Sequence, residues 1–94
     1  MLEAVLVDRG GKYGEYSRHA KLSQEFKKVM KHSSNWLTLN ESMKESLEMI
    51  VHKMARILNG DPTHADSWVD ISGYSTLIIK ELNKENERVK QGDF

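Results

Sequence analysis

The sequence contains no cysteine, which excludes disulfide cross-links, thiolate metal sites and thiol nucleophiles. That absence agrees with a reducing compartment, and the cytoplasm is the expected location. No apolar run approaches the roughly 18 residues of a membrane span, and "MLEAVLV" has neither a basic lead nor a cleavage site, so no membrane association is expected. Charge of one sign is missing as well. The 14 basic and 14 acidic residues give a formal net charge of +0, without the basic excess that captures nucleic acid nonspecifically. Proline occurs once, at Pro62.

What is present is helical periodicity. The expected fold is all-α, a small helical bundle built on a long antiparallel helical hairpin behind a glycine-rich N-terminal loop, with residues 1–94 as a single domain. A chain this short buries only about 60 to 65% of the surface its unfolded form exposes. With five methionines and two tryptophans to cover, it is expected to complete its core against a second copy, as a homo-oligomer.

Leu2, Val5 and Leu6 suit a short turn or helix before the loop "RGGKYGEY". Leu22, Phe26, Val29 and Met30 then form an apolar stripe on a helix expected from about residue 17 to 31, with lysines on its outer side. "HSSNWLTLN" reads as a loop whose Trp36, Leu37 and Leu39 tuck against the core. Thr38 and Glu41 have capping-box spacing, so a long helix is expected to begin there. Its buried face is assigned to Met43, Leu47, Ile50, Met54, Ile57 and Leu58, and its end to a left-handed stop at Asn59-Gly60 before Asp61-Pro62. The last helix starts near 63–66 with Trp68, Ile71, Ser75, Ile78 and Leu82 inward, and 83–94 reads as a solvated, fraying tail.

"ADSWVDISGYS" carries the first candidate site. Asp66 and Asp70 share a helix face, where like charges one turn apart cost about 0.2 to 0.5 kcal/mol in an isolated helix. An antiparallel hairpin brings Lys53 and Arg56 beside them. The cluster is either a clamp that fixes the hairpin's register or the wall of a charged pocket. Tyr74 lies one turn beyond Asp70, with its hydroxyl expected near the cluster. Gly73, which costs about 0.8 to 1 kcal/mol in a helix, is expected to admit a close neighbour: another helix, a ring or a ligand.

Glu45 and Glu48 form a second acidic pair. With Asp66 and Asp70 they make a candidate magnesium set of hard oxygen ligands, and Mg2+ is the cofactor considered. "RGGKYGEY" supplies Arg9, Lys12, Tyr13 and Tyr16 among glycines that can turn backbone N–H groups toward an anion, or that simply make a mobile connection. It is neither a Walker loop nor a dinucleotide fingerprint. His19, His32, His52 and His64 lack zinc-binding spacing, and no serine–histidine–acid arrangement emerges, so no catalytic residue is assigned.

"YGEY", "NW", Lys53, Arg56, Asn59-Gly60-Asp61-Pro62, Asp66-Ser67-Trp68, Asp70 and Gly73-Tyr74 together resemble a family of small, mostly phage-encoded domains of uncharacterised function. The later part of this pattern is similar to the nucleotide kinase of short-tailed coliphages and to domains associated with phage nucleotide modification. A more distant likeness is to all-α nucleoside triphosphate pyrophosphohydrolases of the MazG type. Those bind magnesium through paired acidic elements; here the second element is Asp66-x-x-x-Asp70 and the first lacks the adjacent glutamates.

The resemblance implies a nucleotide or nucleotide-derived ligand, with phosphoryl transfer or pyrophosphohydrolysis as the class of reaction. In that reading Arg9, Lys12, Lys53 and Arg56 neutralise phosphate. Tyr13, Tyr16 or Tyr74 contacts base or sugar, and Asp66 and Asp70 orient the cations or hold magnesium. The alternative is a non-enzymatic phage accessory protein, in the host cytoplasm, that sequesters a signalling nucleotide or binds and inhibits a host protein.

Overall fold

The structure, a computed structural model, describes residues 13–90. Three helices follow one another: α1 (Tyr16–Lys31), α2 (Glu41–Asn59) and α3 (Ala65–Lys90), with a 3-10 turn at Trp36–Thr38 between the first two. Among the described residues there is no strand, in keeping with the all-α expectation. The turn expected over residues 2–6, and Arg9, Gly10, Gly11 and Lys12, lie outside the described residues.

Both ends of α2 differ in detail from the sequence expectation. Asn40, not Thr38, is the N-cap: its side-chain oxygen accepts from the Met43 N–H at 2.8 Å. Thr38 closes the 3-10 turn instead, its hydroxyl donating to the Asn35 carbonyl at 2.6 Å. Asparagine satisfies a free N–H as well as threonine does, and here it stands immediately before the first helical residue. At the other end Gly60 has φ −133° and ψ −140°, so there is no left-handed stop. An Asp61 turn ends the helix: the Thr63 N–H and hydroxyl donate to Asp61 Oδ1 at 2.9 and 2.6 Å, and α3 begins two residues later. These bonds hold the Asp61 carboxyl below the usual carboxylate range.

α1 and α3 both pack on α2. The α2–α3 hairpin is antiparallel and in register. Lys53 Nζ meets Asp70 Oδ2 at 2.9 Å, and eleven residues earlier on α2 the Ser42 hydroxyl donates to Glu81, eleven residues later on α3.

The seams between helices run through small residues. Ala55 is 0% exposed, Ser23, Ser46 and Ser67 are buried as well, and Trp36 and Val51 are the other buried apolar residues among those described. This corrects the expected faces. Met43, Ile50, Ile57, Ile71 and Ile78 are only half-buried, as are Leu22, Phe26 and Met30 on α1. Leu47, Met54, Leu58, Trp68, Leu82 and Val29 are exposed, and so are Leu37 and Ser75. Helix axes approach most closely where side chains are small, so the large apolar groups flank the seam, and the described helices do not cover them all.

The molecule measures 56 × 27 × 22 Å with a radius of gyration of 16.8 Å, against about 12 Å for a compact chain of this size. Among the described residues no helix is long and apolar enough to cross a membrane.

Candidate functional site

The chain segment before α1 is fastened to the end of α2. The Asn59 side-chain N–H donates to the carbonyls of Tyr13 and Glu15 at 3.1 and 2.9 Å. Between those carbonyls Gly14 adopts φ +79°, and a Cβ added there would overlap the Asn59 carbonyl oxygen. Gly14 is therefore required twice, by its backbone angle and by the close approach.

This latch sets Tyr13 against two side chains from the α2–α3 turn. The Arg56 guanidinium lies over the Tyr13 ring, 4.4 Å from its centroid, and the His64 ring meets Tyr13 edge-on at 5.6 Å. His64 Nε2 faces the Tyr13 hydroxyl and an Asp66 carboxylate oxygen, each at 3.5 Å; when that nitrogen carries a proton it donates to Asp66. One turn before Arg56, Lys53 is drawn to Asp70, its side chain only 12% exposed.

A histidine pair spans α1 and α2 beside these cations. His19 Nε2 and His52 Nδ1 are 3.4 Å apart, with rings perpendicular and centroids 4.5 Å apart. His19 is 5% exposed, and among the described residues its Nδ1 has no partner; neither does the hydroxyl of Ser23, one turn on. A buried bare lone pair costs less than a buried unpaired N–H, so His19 donates through Nε2 to His52. Burial, then the charges of Arg56, Lys27 and Lys53, holds His19 below the ordinary histidine value. Burial and the same surroundings, with His19 itself, pull His52 down to about 4. Both rings are thus held toward the neutral form, by burial first and by the nearby positive charge second.

Of the residues singled out by sequence, Tyr13, Tyr16, Lys53, Arg56, Asp66 and Asp70 thus gather at or around one end of the molecule. Tyr16 is 80% exposed, its ring 6.1 Å from that of His19. The expected four-way clamp is only half made: Lys53 takes Asp70, whereas Arg56 turns to Tyr13 and Asp66 to His64. Tyr74 and Glu45 lie elsewhere, in a groove of about 580 Å³ with Ser42, Leu77 and Glu81. Glu48 pairs with Lys31 on α1 at 3.5 Å. Glu48, Asp70 and Asp66 therefore face different partners while Glu45 lies in the groove, and among the described residues no three acids or histidines converge on a point. This donor set does not fit a protein-built magnesium cage. Gly73 also departs from expectation, because no atom lies within 4 Å of a Cβ placed there.

Sequence reasoning missed His19, His52, Asn59, His64 and Lys27. The histidines come from different helices, so no spacing within one segment announces them. Asn59 was assigned to a turn, which hid its role as a donor.

The family model described as Domain of unknown function (DUF6378) matches residues 2–82. The chain belongs to this family. No curated protein and no solved structure matches it. The span that defines the DUF6378 domain takes in every residue of the polar cluster and ends at Leu82, eight residues before the end of α3. The cluster is thus part of the family domain, and the solvated end of α3 is outside it.

Proposed function

We propose that the polar cluster of this domain binds the phosphate of a nucleotide or nucleotide-derived ligand. The observation that carries the reading is geometric: the Arg56 guanidinium lies 4.4 Å over the Tyr13 ring, one turn from Lys53, on the helix that sets His52 against His19. Lys53 and Arg56 bring positive charge to this end, where Asp70 pairs with Lys53 and Asp66 faces His64, and the Arg56 charge set over Tyr13 favours an incoming anion.

Each neighbour has a part in this reading. Tyr13 holds the Arg56 guanidinium from one face, which leaves its N–H edge for phosphate oxygens, the bidentate geometry that arginine suits. Exposed Tyr16 offers a ring for a base to stack on. Arg9 and Lys12 add positive charge from the preceding segment. Magnesium enters with the phosphate as its counter-ion, with exposed Asp66 available to its water shell. The ligand class comes from the likeness to phage nucleotide-handling domains, which also makes the host cytoplasm the working compartment.

The non-enzymatic version, in which a phage accessory protein sequesters a signalling nucleotide, is favoured by one feature. Asp70 and Glu48 are engaged by Lys53 and Lys31, so they serve the scaffold more than a reacting phosphate.

The test is calorimetry and thermal shift with mono-, di- and triphosphates, with and without magnesium. At least one class raises the melting temperature, and Arg56→Gln abolishes that response while the helical spectrum is kept. No response across the panel overturns the proposal. Product analysis of the responding ligand then separates turnover from sequestration, and recovery of the ligand unchanged assigns the protein to the second.

A further inference from the structure

Among the described residues, one long apolar face of the helices is left uncovered. On α2, Leu47, Met54 and Leu58 recur at spacings of seven and four residues, which places them on one stripe. On α3, Trp68, Ile79 and Leu82 do the same at eleven and three. The two stripes share a side of the hairpin, because a groove of about 310 Å³ between them is lined by Leu39, Met43, Leu47, Ile50, Ile78 and Ile79.

Four observations say what covers this face. The first is area. At their fractional exposures the six stripe residues leave on the order of 500 Å² in water, most of the roughly 800 Å² per partner that a stable dimer covers.

The second is Trp68. The residue is 55% exposed, yet its indole N–H is already satisfied by the Pro62 carbonyl at 2.9 Å. The ring is therefore held in place with no polar demand of its own, the condition of an aromatic anchor.

The third is charge. A formal net charge of +0 lets two copies approach without mutual repulsion, and the stripe positions themselves carry no charged side chain.

The fourth is the overhang of α3. The register that pairs Ser42 with Glu81 runs out at the start of α2, so residues 83–90 project past it by about two turns. Val89, 53% exposed and seven residues after Leu82, carries the stripe onto that projection. The segment preceding Tyr13 joins the fold beside Asn59, at the opposite end of α2.

We propose that this face is a self-association surface, on which two copies pack their α2–α3 stripes together about a two-fold axis. Each copy would cover the other's Trp68 and Leu58, and the overhang of one would lie along its partner.

Sedimentation and light scattering on the full chain, from micromolar to submillimolar concentration, give twice the chain mass. Trp36→Phe leaves Trp68 as the sole tryptophan; its emission is blue-shifted and protected from quencher in the dimer, and it reverts on dilution. Leu58→Glu combined with Ile79→Glu weakens association by about 100-fold or more with the helical spectrum retained. Both positions are solvent-exposed in one chain, so the fold tolerates the change. Leu77→Glu, in the groove on the other side of the hairpin, leaves association unchanged.

A chain mass that stays single across the range overturns the proposal. So does association that survives the double substitution. A monomer whose Trp68 is shielded until residues 2–8 are deleted overturns it too, by assigning the face to the chain's own leading segment.

Discussion

The Lys53 ammonium lies 2.9 Å from the Asp70 carboxylate, and Lys53 is much the more deeply placed of the two. Removing the acid strands a largely desolvated cation; removing the lysine frees an acid that water already reaches. Asp70→Asn is therefore expected to cost about 1 to 3 kcal/mol, and Lys53→Met less than about 1. Urea denaturation of the two variants reads the asymmetry. Equal losses would show that the pair acts as a surface ion pair. If Asp70→Asn lowers stability while the phosphate response is kept, the pair belongs to the scaffold.

Two glycines predict opposite outcomes for one kind of substitution. Gly73 sits within α3 with open space where a Cβ would go, so Gly73→Ala is expected to raise stability by about 1 kcal/mol. Gly14 has a positive φ and the Asn59 carbonyl against it, so Gly14→Ala is expected to cost more than about 2 kcal/mol and to loosen the segment before α1. Denaturant midpoints at unchanged slope check both.

The contrast shows what the chain makes legible. Helix type, the hairpin and the Lys53–Asp70 pair follow from local periodicity and from the reversal at Asn59–Thr63, which a short turn enforces. Gly73 and Gly14 look alike as letters; only the third dimension says that one meets nothing and the other a carbonyl. Arg56 stands one turn after Lys53 but is rotated around the helix, and which side of α2 receives α1 is settled by packing that no local pattern records. The His19–His52 contact belongs to the same class. It joins two helices through residues whose sequence separation carries no ligand spacing, so it became visible only once α1 was docked. Periodicity places Trp68 inward; its hydrogen bond to Pro62 holds it outside.

The histidine pair gives stability a pH dependence of definite sign. His52 falls from 6.5 to about 4 on folding, and His19 falls as well, so between these limits the unfolded chain binds more protons than the folded one. Their contribution is complete above about pH 6.5 and is lost as the pH drops toward about 4. Allowing for solvent screening, about 1 to 2 kcal/mol disappears over that window. Urea midpoints across the range measure it. His52→Gln flattens the slope. Burial is the main cause of the depression and the cations add to it; a phosphate bound beside the pair would offset that cationic part, so binding on the acid side of neutrality takes up protons, detectable by calorimetry in buffers of different ionisation enthalpy.

Asn59 couples the latch to the cation cluster, and two substitutions separate its bonding from its bulk. Asn59→Ala removes both donors, leaves the Tyr13 and Glu15 carbonyls to water, and is expected to cost about 1 to 3 kcal/mol. Asn59→Asp keeps the shape but sets a carboxylate against those two carbonyl oxygens, so it is expected to be the more damaging. With the segment released, Tyr13 no longer backs the Arg56 guanidinium, and the phosphate response weakens in both variants beyond what their melting temperatures explain. Calorimetry well below the melting temperature makes the comparison. If Asn59→Asp matches wild type in both stability and ligand response, then the Tyr13 segment is held by something other than this amide, and Arg56 owes its orientation to another neighbour.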